Sequence, residues 1–442
     1  MKTTHERIKT LLLIVLVCGA VFMSYITWFY DRPASGTMQS SSSFVDAQNI
    51  RNEYAFGAYS STAQLNPVRI SIKSAQFRYA TAREDQSLTV FYDNTRSLVA
   101  EALSVSGVWS KTSEEEWEKA LRGPGVLYDY QGVARLDNIA GWIWGGVLEG
   151  VNIQGRYLLL SVGAKNENAV IMIKNPITNE VYSSTTRISG QTVLNTVSKI
   201  QGSECALACE REDEKYANLI PETIIYKNKE KPDVISAVNV VDYFSADGVE
   251  ELLKCFNFTG YTSNEYTEKD GTKVYIDSNA TIRISENGLL EYTNSEKGGA
   301  PNALFVQAAG EEIKEKEIFE SACMIVAKLA VLSGGQARLY PDEFFYDKAS
   351  GSYVVNFGIS IGGIPIDAGN SPYFAQVTVT DRVISEVKFH MRRYSNTAAK
   401  AKTISKEMAA SAVVDEGVFQ VELRYTDNGQ AELEPAWYVK NK

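Results

Sequence analysis

The chain opens on polar residues and then runs through 20 uncharged ones, Leu11–Tyr30, before Asp31 and Arg32 restore charge. As a helix this run would be about 30 Å long, the thickness of a bilayer's hydrocarbon core. Lys2, Arg7 and Lys9 precede it against Glu6 alone, a bias that keeps an N-terminus in the cytoplasm. Trp28, Phe29 and Tyr30 sit where an interfacial aromatic belt belongs. The competing reading is a cleaved signal peptide. Its apolar region would be shorter, and no A-x-A-like site directly follows. A lipid-bearing Cys18 would need a small residue before it, and Val17 stands there. The layout predicted is a cytoplasmic tail (1–10), a transmembrane helix (11–30), a flexible Ser-rich linker (31–44) and an extracytoplasmic remainder.

Past the linker the pattern mixes two periods. Val68, Ile70 and Ile72 alternate with polar residues as a strand does, and Leu88–Tyr92, Val126–Tyr130, Arg156–Val162, Ala169–Ile173 and Val181–Thr186 read as further strands. Leu98, Val99, Ala102 and Leu103 have helical spacing, and Thr192–Ile200 can be helical. Ser113 with Glu116 forms a capping box ahead of a Trp117/Leu121 stripe. A charged stretch holding Pro221 and Pro232 closes this α+β domain near residue 235. From there one plan repeats: helical stripes at Val249–Phe256, Phe319–Leu329 and Ile404–Ala412, each followed by strands. Asp270-Gly271, Asn287-Gly288 and Asp427-Asn428-Gly429 supply hairpin turns. The expected fold class is α+β: an N-terminal transmembrane helix, a mixed domain (45–235), a helix-plus-antiparallel-sheet module (236–310) and C-terminal module(s) (311–442).

Composition narrows the function. Apolar residues make up 44% of the chain, enough for packed cores rather than disorder. The formal charge is −10; residues 1–30 contribute +2, which leaves −12 on the exported part and argues against nucleic acid and polyanionic partners. Cys205 and Cys209 are four apart and would share a helical face, but no second Cys or His pair accompanies them. Small, reduced thiols are the simpler reading. His390 is the one histidine outside the tail and membrane segment, so no His-type zinc site can form there. Its neighbours VKFHMRRY place it on a strand beside two arginines, in a structural or surface role. Carboxylates are abundant, and counting does not exclude a paired-carboxylate hydrolase. Gly145-Gly146, Gly334-Gly335 and Gly362-Gly363 lack nucleotide-loop spacing. No catalytic, cofactor or metal residue is assigned.

Two local clusters stand out. Trp142 and Trp144 in GWIWGG would face one side of a strand, either as a binding patch or as core. Ala20, Ser24 and Thr27 share one face of the membrane helix, where small residues allow close helix–helix approach.

The N-terminal anchor, the segments EKALRGPGVLYDY, DGTKVYIDSNATIRISENGLLEYTN and GSYVVNFGISIGGIPI, and the closing ELEPAWYV resemble the YycH/YycI family. The resemblance implies a membrane-anchored extracytoplasmic protein of Gram-positive type, without enzymatic residues. Its partner would be a WalK-type sensor histidine kinase controlling cell-wall metabolism, with a related regulator as a hetero-oligomer partner. The C-terminal hairpins also resemble PepSY-like modules. An inhibitor of an exported enzyme and an anchored cell-wall hydrolase therefore stay as alternatives.

The charge bias around Leu11–Tyr30 predicts one crossing with the C-terminus outside. Protease added to intact spheroplasts should remove a C-terminal tag, and full protection of the tag would refute the topology.

Overall fold

A strand buried along its whole length needs cover on both faces, and the first large sheet has it. The computed structural model describes residues 65–81, 85–163, 167–228, 231–258, 264–295, 303–307, 313–369, 371–413 and 417–441. In it, β1 (Arg69–Lys73), β2 (Arg78–Ala80), β3 (Ser110–Thr112), β4 (Gly125–Arg135), β5 (Gln154–Val162), β6 (Asn168–Asn175), β7 (Glu180–Ser189), β8 (Ser203–Leu207) and β9 (Ile224–Tyr226) form a nine-stranded antiparallel sheet. Its spatial order is β3-β7-β6-β5-β4-β1-β2-β8-β9. The unbroken apolar runs of β5 and β6 divide by alternation. Leu158, Leu160, Ile171 and Ile173 enter one core, while Leu159 and Met172 enter another. The first core is covered by α1 (Asp85–Ser104), the second by Trp117 and Leu121 of α2 (Glu114–Arg122); α3 (Leu136–Trp144) and α4 (Gly190–Val197) add to the first. Ser113 caps α2, its hydroxyl accepting from the Glu116 N–H at 3.2 Å.

The remaining elements are β10 (Asp233–Asn239), α5 (Ala246–Cys255), β11 (Asn264–Thr267), β12 (Lys273–Asp277), β13 (Ala280–Ile284), β14 (Leu289–Asn294), α6 (Glu315–Ser333), β15 (Arg338–Asp347), β16 (Ser352–Ile361), β17 (Ile364–Asp367), β18 (Ala375–Thr380), β19 (Val383–His390), β20 (Arg392–Lys400), α7 (Lys406–Ser411), β21 (Phe419–Thr426), β22 (Glu432–Leu433) and β23 (Ala436–Asn441). Of the strands that follow the three helices, all but β20 and β22 share one eleven-stranded sheet, antiparallel except where β17 meets β21. β10, β20 and β22 make a small third sheet. Helix α6 buries Phe319, Ala322, Val326 and Leu329 in a core with Val355, Phe357, Val377 and Val387. The opposite face of the large sheet carries a polar row in register across five strands: Glu291, Lys388, Gln376, Asn356 and Glu343.

The two large sheets meet where each has a bulge. β4 loses register after Asp129, with Gln131 at φ +68°, and β15 loses it between Pro341 and Glu343. Gly132 sits against this second bulge so closely that a Cβ there would lie 2.0 Å from the Pro341 carbonyl oxygen. Trp142 extends the contact into the core, its ring 6.5 Å from Tyr130 and 6.0 Å from Phe319. The described part of the chain is thus α+β.

Several expectations are corrected. Leu88–Tyr92 is not a strand but the first turns of α1. Leu88, Phe91, Tyr92, Thr95, Leu98, Val99 and Ala102 are all buried at helical spacing, and that long stripe overrides the local β-formers. GWIWGG is not a strand either; it is the end of α3, closed by Gly145 at φ +81°. Residues two apart on a helix point to different sides. Trp142 is accordingly 2% exposed and Trp144 40% exposed. Cys205 lies on β8 and Cys209 on a following 3-10 turn, so they share no helical face. The last helix is shorter than the stripe suggests. It buries Ala409 and Ala410, whereas Met408 is 61% exposed. The run Leu11–Tyr30, including Ala20, Ser24 and Thr27, lies outside the described residues; among those described, no helix is long and apolar enough to cross a membrane.

Trp142→Ala should cost about 3–5 kcal/mol of stability, as large-to-small changes in a packed core do. Trp144→Ala should stay within about 0.5 kcal/mol. Urea unfolding followed by circular dichroism measures both, and equal costs would contradict the helical placement.

Candidate functional site at the junction of the sheets

Alternation puts one charged residue into the middle of several otherwise apolar strands, and these residues converge where the sheets meet. Asp129 of β4 is buried. Its carboxylate accepts from Arg69 Nε at 2.9 Å and Arg156 Nε at 2.8 Å, and from the N–H of Gln131 at 2.8 Å. Burial alone would raise this carboxyl's pKa, but Arg156 and Arg69 outweigh it and hold the group well below the ordinary range. The Gln131 side-chain oxygen accepts from Arg69 and Arg156. Its Nε2 donates at 3.2 Å across the junction to Glu422 of β21. Glu422 also accepts from Gln420 at 2.9 Å and from Arg424 Nε at 2.8 Å. Burial opposes its ionisation, but Arg424, Arg156 and Arg69 keep the pKa low. Arg424 in turn donates to Asp367 of β17 at 2.9 Å. Three guanidinium groups and three carboxylates thus alternate from one sheet to the other.

A groove flanks this network in two lobes, of about 300 Å³ and 200 Å³, which share Gln131, Arg156, Asp342, Gln420 and Lys440. Asp342 stands on the β15 bulge without a hydrogen-bond partner among the described residues. Burial raises its pKa, against the pull of Lys440 and Arg424. The other carboxylates lining the groove are engaged. Glu222 accepts from Trp117 Nε1 at 2.6 Å and from Lys174 at 2.8 Å, and Asp367 holds Arg424. Acid–base hydrolysis needs one carboxylic acid and a second, available carboxylate across a cleft. This groove offers Asp342 for the first role and only ion-paired groups for the second. What it does offer is a polar slot with an apolar lip: Pro176 and Ile177 border it, and Ile177 is exposed.

The sequence candidates fall elsewhere. Trp142 and Trp144 are not brought together on a surface. His390 lies at the end of β19, as expected of a strand position, and lines a cavity that adjoins the second lobe of the groove. Cys205, Cys209, Cys255 and Cys323 are free thiols. Burial pushes Cys205 and Cys209 up to about 12, which leaves them protonated and unreactive. Among the described residues, no group of three or more His, Cys, Asp or Glu could hold a metal ion. The residues missed were Arg69, Asp129, Arg156, Glu422 and Arg424. Their signal is an ionisable side chain inside an apolar strand, as in VLYDY and VFQVELRY.

No protein-family profile matches the chain, and no curated protein does. Among solved structures the fold is similar to that of YycH from Bacillus subtilis, with a TM-score of 0.51 over 86% of this chain and 94% of that one, at 11% sequence identity. The fold is therefore YycH-like.

Asp129→Asn should cost about 3–5 kcal/mol, because Arg69 and Arg156 stay buried and lose their anion. The folded pKa of Asp129 is depressed, so its stabilisation is fully present above about 3.9, the ordinary Asp value, and is lost as the pH falls toward the folded value. Stability of the native chain should therefore decline below about pH 4, and that of the variant less steeply. Urea titrations at neutral and acid pH test this; a neutral-pH loss under about 1 kcal/mol, the range of exposed pairs, would reduce the network to a surface contact.

Proposed function

We propose that this chain, with its YycH-like fold, is a non-enzymatic regulator anchored in the cell membrane by one N-terminal helix, its bulk extracytoplasmic. In this reading it binds and modulates a membrane partner, a two-component sensor histidine kinase that controls cell-wall metabolism. A related regulator is a further partner, joined as a hetero-oligomer. The observation that carries the reading is likeness to YycH along 86% of the chain, behind an uncharged run long enough to span a bilayer. The engaged state of Glu222, Glu422 and Asp367 supports a binding role over a hydrolytic one.

The anchor would take part in recognition through Ala20, Ser24 and Thr27. Apolar burial gives no net drive between helices in lipid, so association depends on close backbone approach.

Full-length chain purified from membranes should bring a sensor kinase with it, identified by mass spectrometry; recovery of no kinase would overturn the proposal. Replacing Ala20 and Ser24 with Leu should keep membrane levels normal and weaken association by about 1–2 kcal/mol. The same treatment of Val15 and Phe22 should be tolerated. Equal cross-linking by both sets would leave recognition to the extracytoplasmic part.

A further inference from the structure

A further cavity adjoins the second lobe of the groove, at the end of the large sheet's polar face. It spans about 430 Å³ between β14, β19, Ala368, the 371–373 segment and the 427–429 turn, within the range of small-molecule sites. Its floor is closed electrically. Arg392 donates to both oxygens of Asp427, at 2.8 and 2.9 Å, and Tyr394 adds its hydroxyl at 2.8 Å. The turn supports the same carboxylate through the Gly429 N–H at 2.8 Å.

The wall is different. Lys388 and Glu291 face each other across β14 and β19, as do His390 and Leu289. Lys388 reaches Glu386 at 3.0 Å, and the Glu291 carboxylate, placed between Arg283 and Lys388 in register, has no side-chain hydrogen bond among the described residues. His390 Nε2 is buried and has no partner. Desolvation lowers the His390 pKa, so the imidazole is neutral and this nitrogen can donate or accept. At the rim, Asn287 spends its oxygen on Ser285 and the Leu289 N–H, which leaves its amide nitrogen. Tyr373 lines the cavity with its hydroxyl tied to Gln376 at 3.1 Å.

We propose that this cavity binds an uncharged polar ligand of the saccharide class. Arg392 is paired with Asp427 and Lys388 with Glu386, which leaves no free cation for an anionic ligand, while Glu291 stands between Arg283 and Lys388 on the neighbouring strands, which disfavours a further cation. A polyol meets what is open. Its hydroxyls donate to Glu291, exchange a hydrogen bond with His390 Nε2 and accept from the Asn287 amide, beside the aromatic surface of Tyr373. In this proposal His390 takes a binding role in addition to the structural or surface role read from the sequence. The site adjoins the junction groove through Ala368, Pro372 and Tyr373, but none of its residues belongs to the charge network or the anchor, so it stands independently of the kinase reading.

Isothermal titration of the full-length chain with N,N′-diacetylchitobiose, cellobiose and maltose tests the proposal. At least one of the three should bind. Glu291→Ala and His390→Phe should each weaken that binding by about tenfold, the scale of one lost hydrogen bond to a charged or buried group. Thr293→Ala, further along β14 and outside the cavity, should leave it unchanged. Binding of none of the three, or binding unaffected by both variants, would overturn the site. Preferential binding of a trilysine or acetate probe at the same residues would overturn the uncharged class.

Discussion

Four charges held almost wholly out of bulk water, with a partly exposed pair beside them, set the terms on which the two large sheets can join. Asp129, Glu422 and Asp367 alternate with Arg156, Arg69 and Arg424, and Gln131 bridges the halves. Such a network adds little net stability over an apolar contact of the same size, because desolvation offsets most of the attraction. Its strength is selectivity. A shift of one residue in β1, β4, β5 or β21 would turn a guanidinium or carboxylate to the wrong face and leave its partner buried alone. The bulge in β4 belongs to the same device: it presents the Gln131 N–H to Asp129 and the Gln131 side chain to Glu422. The electrostatics therefore tolerate one sheet-to-sheet arrangement and penalise its neighbours.

Much of the secondary structure was legible because its causes are local. Helices α2, α5 and α6 follow from caps and apolar stripes, and the hairpins of β11–β14 from Asp270-Gly271 and Asn287-Gly288. Where local and longer signals compete, the longer one wins. The β-formers of Leu88–Tyr92 were absorbed into a stripe that runs to Leu103, and GWIWGG became a helix end because α3 packs against Tyr130 and Phe319. β20, with SNTAAK in its second half, shows no apolar alternation there. It becomes a strand because β10 and the 427–430 turn supply partners for its backbone and for Arg392.

The chemistry was less legible, for a reason the junction makes plain. A lone Asp or Glu in a strand announces that it is ionisable but not what stands opposite. Asp129 meets Arg69 and Arg156 from two neighbouring strands, and Glu422 meets Gln131 from another sheet. Counting carboxylates kept a hydrolase open. Finding most of the groove's carboxylates in ion pairs is information that exists only in three dimensions. Histidine scarcity was informative in the opposite way, since it removed whole classes of chemistry at once.

The bond from Gln131 to Glu422 joins residues 291 apart in the chain, and Arg69 reaches the Gly363 carbonyl 294 residues away. Loops of that length close slowly, and contacts of such long range place a protein among slow folders. The first sheet can pair its own strands early, but Glu422 reaches it only when β21 has been made. Until then the first sheet keeps an open, charged rim instead of a finished interface. A chain that emerges N-terminus first would therefore pass through a partly ordered intermediate whose lifetime is set by the arrival of its last hundred residues, roughly. Any quality-control protease or chaperone at the site of synthesis would meet that intermediate, with Arg69, Asp129 and Arg156 already gathered and one carboxylate short.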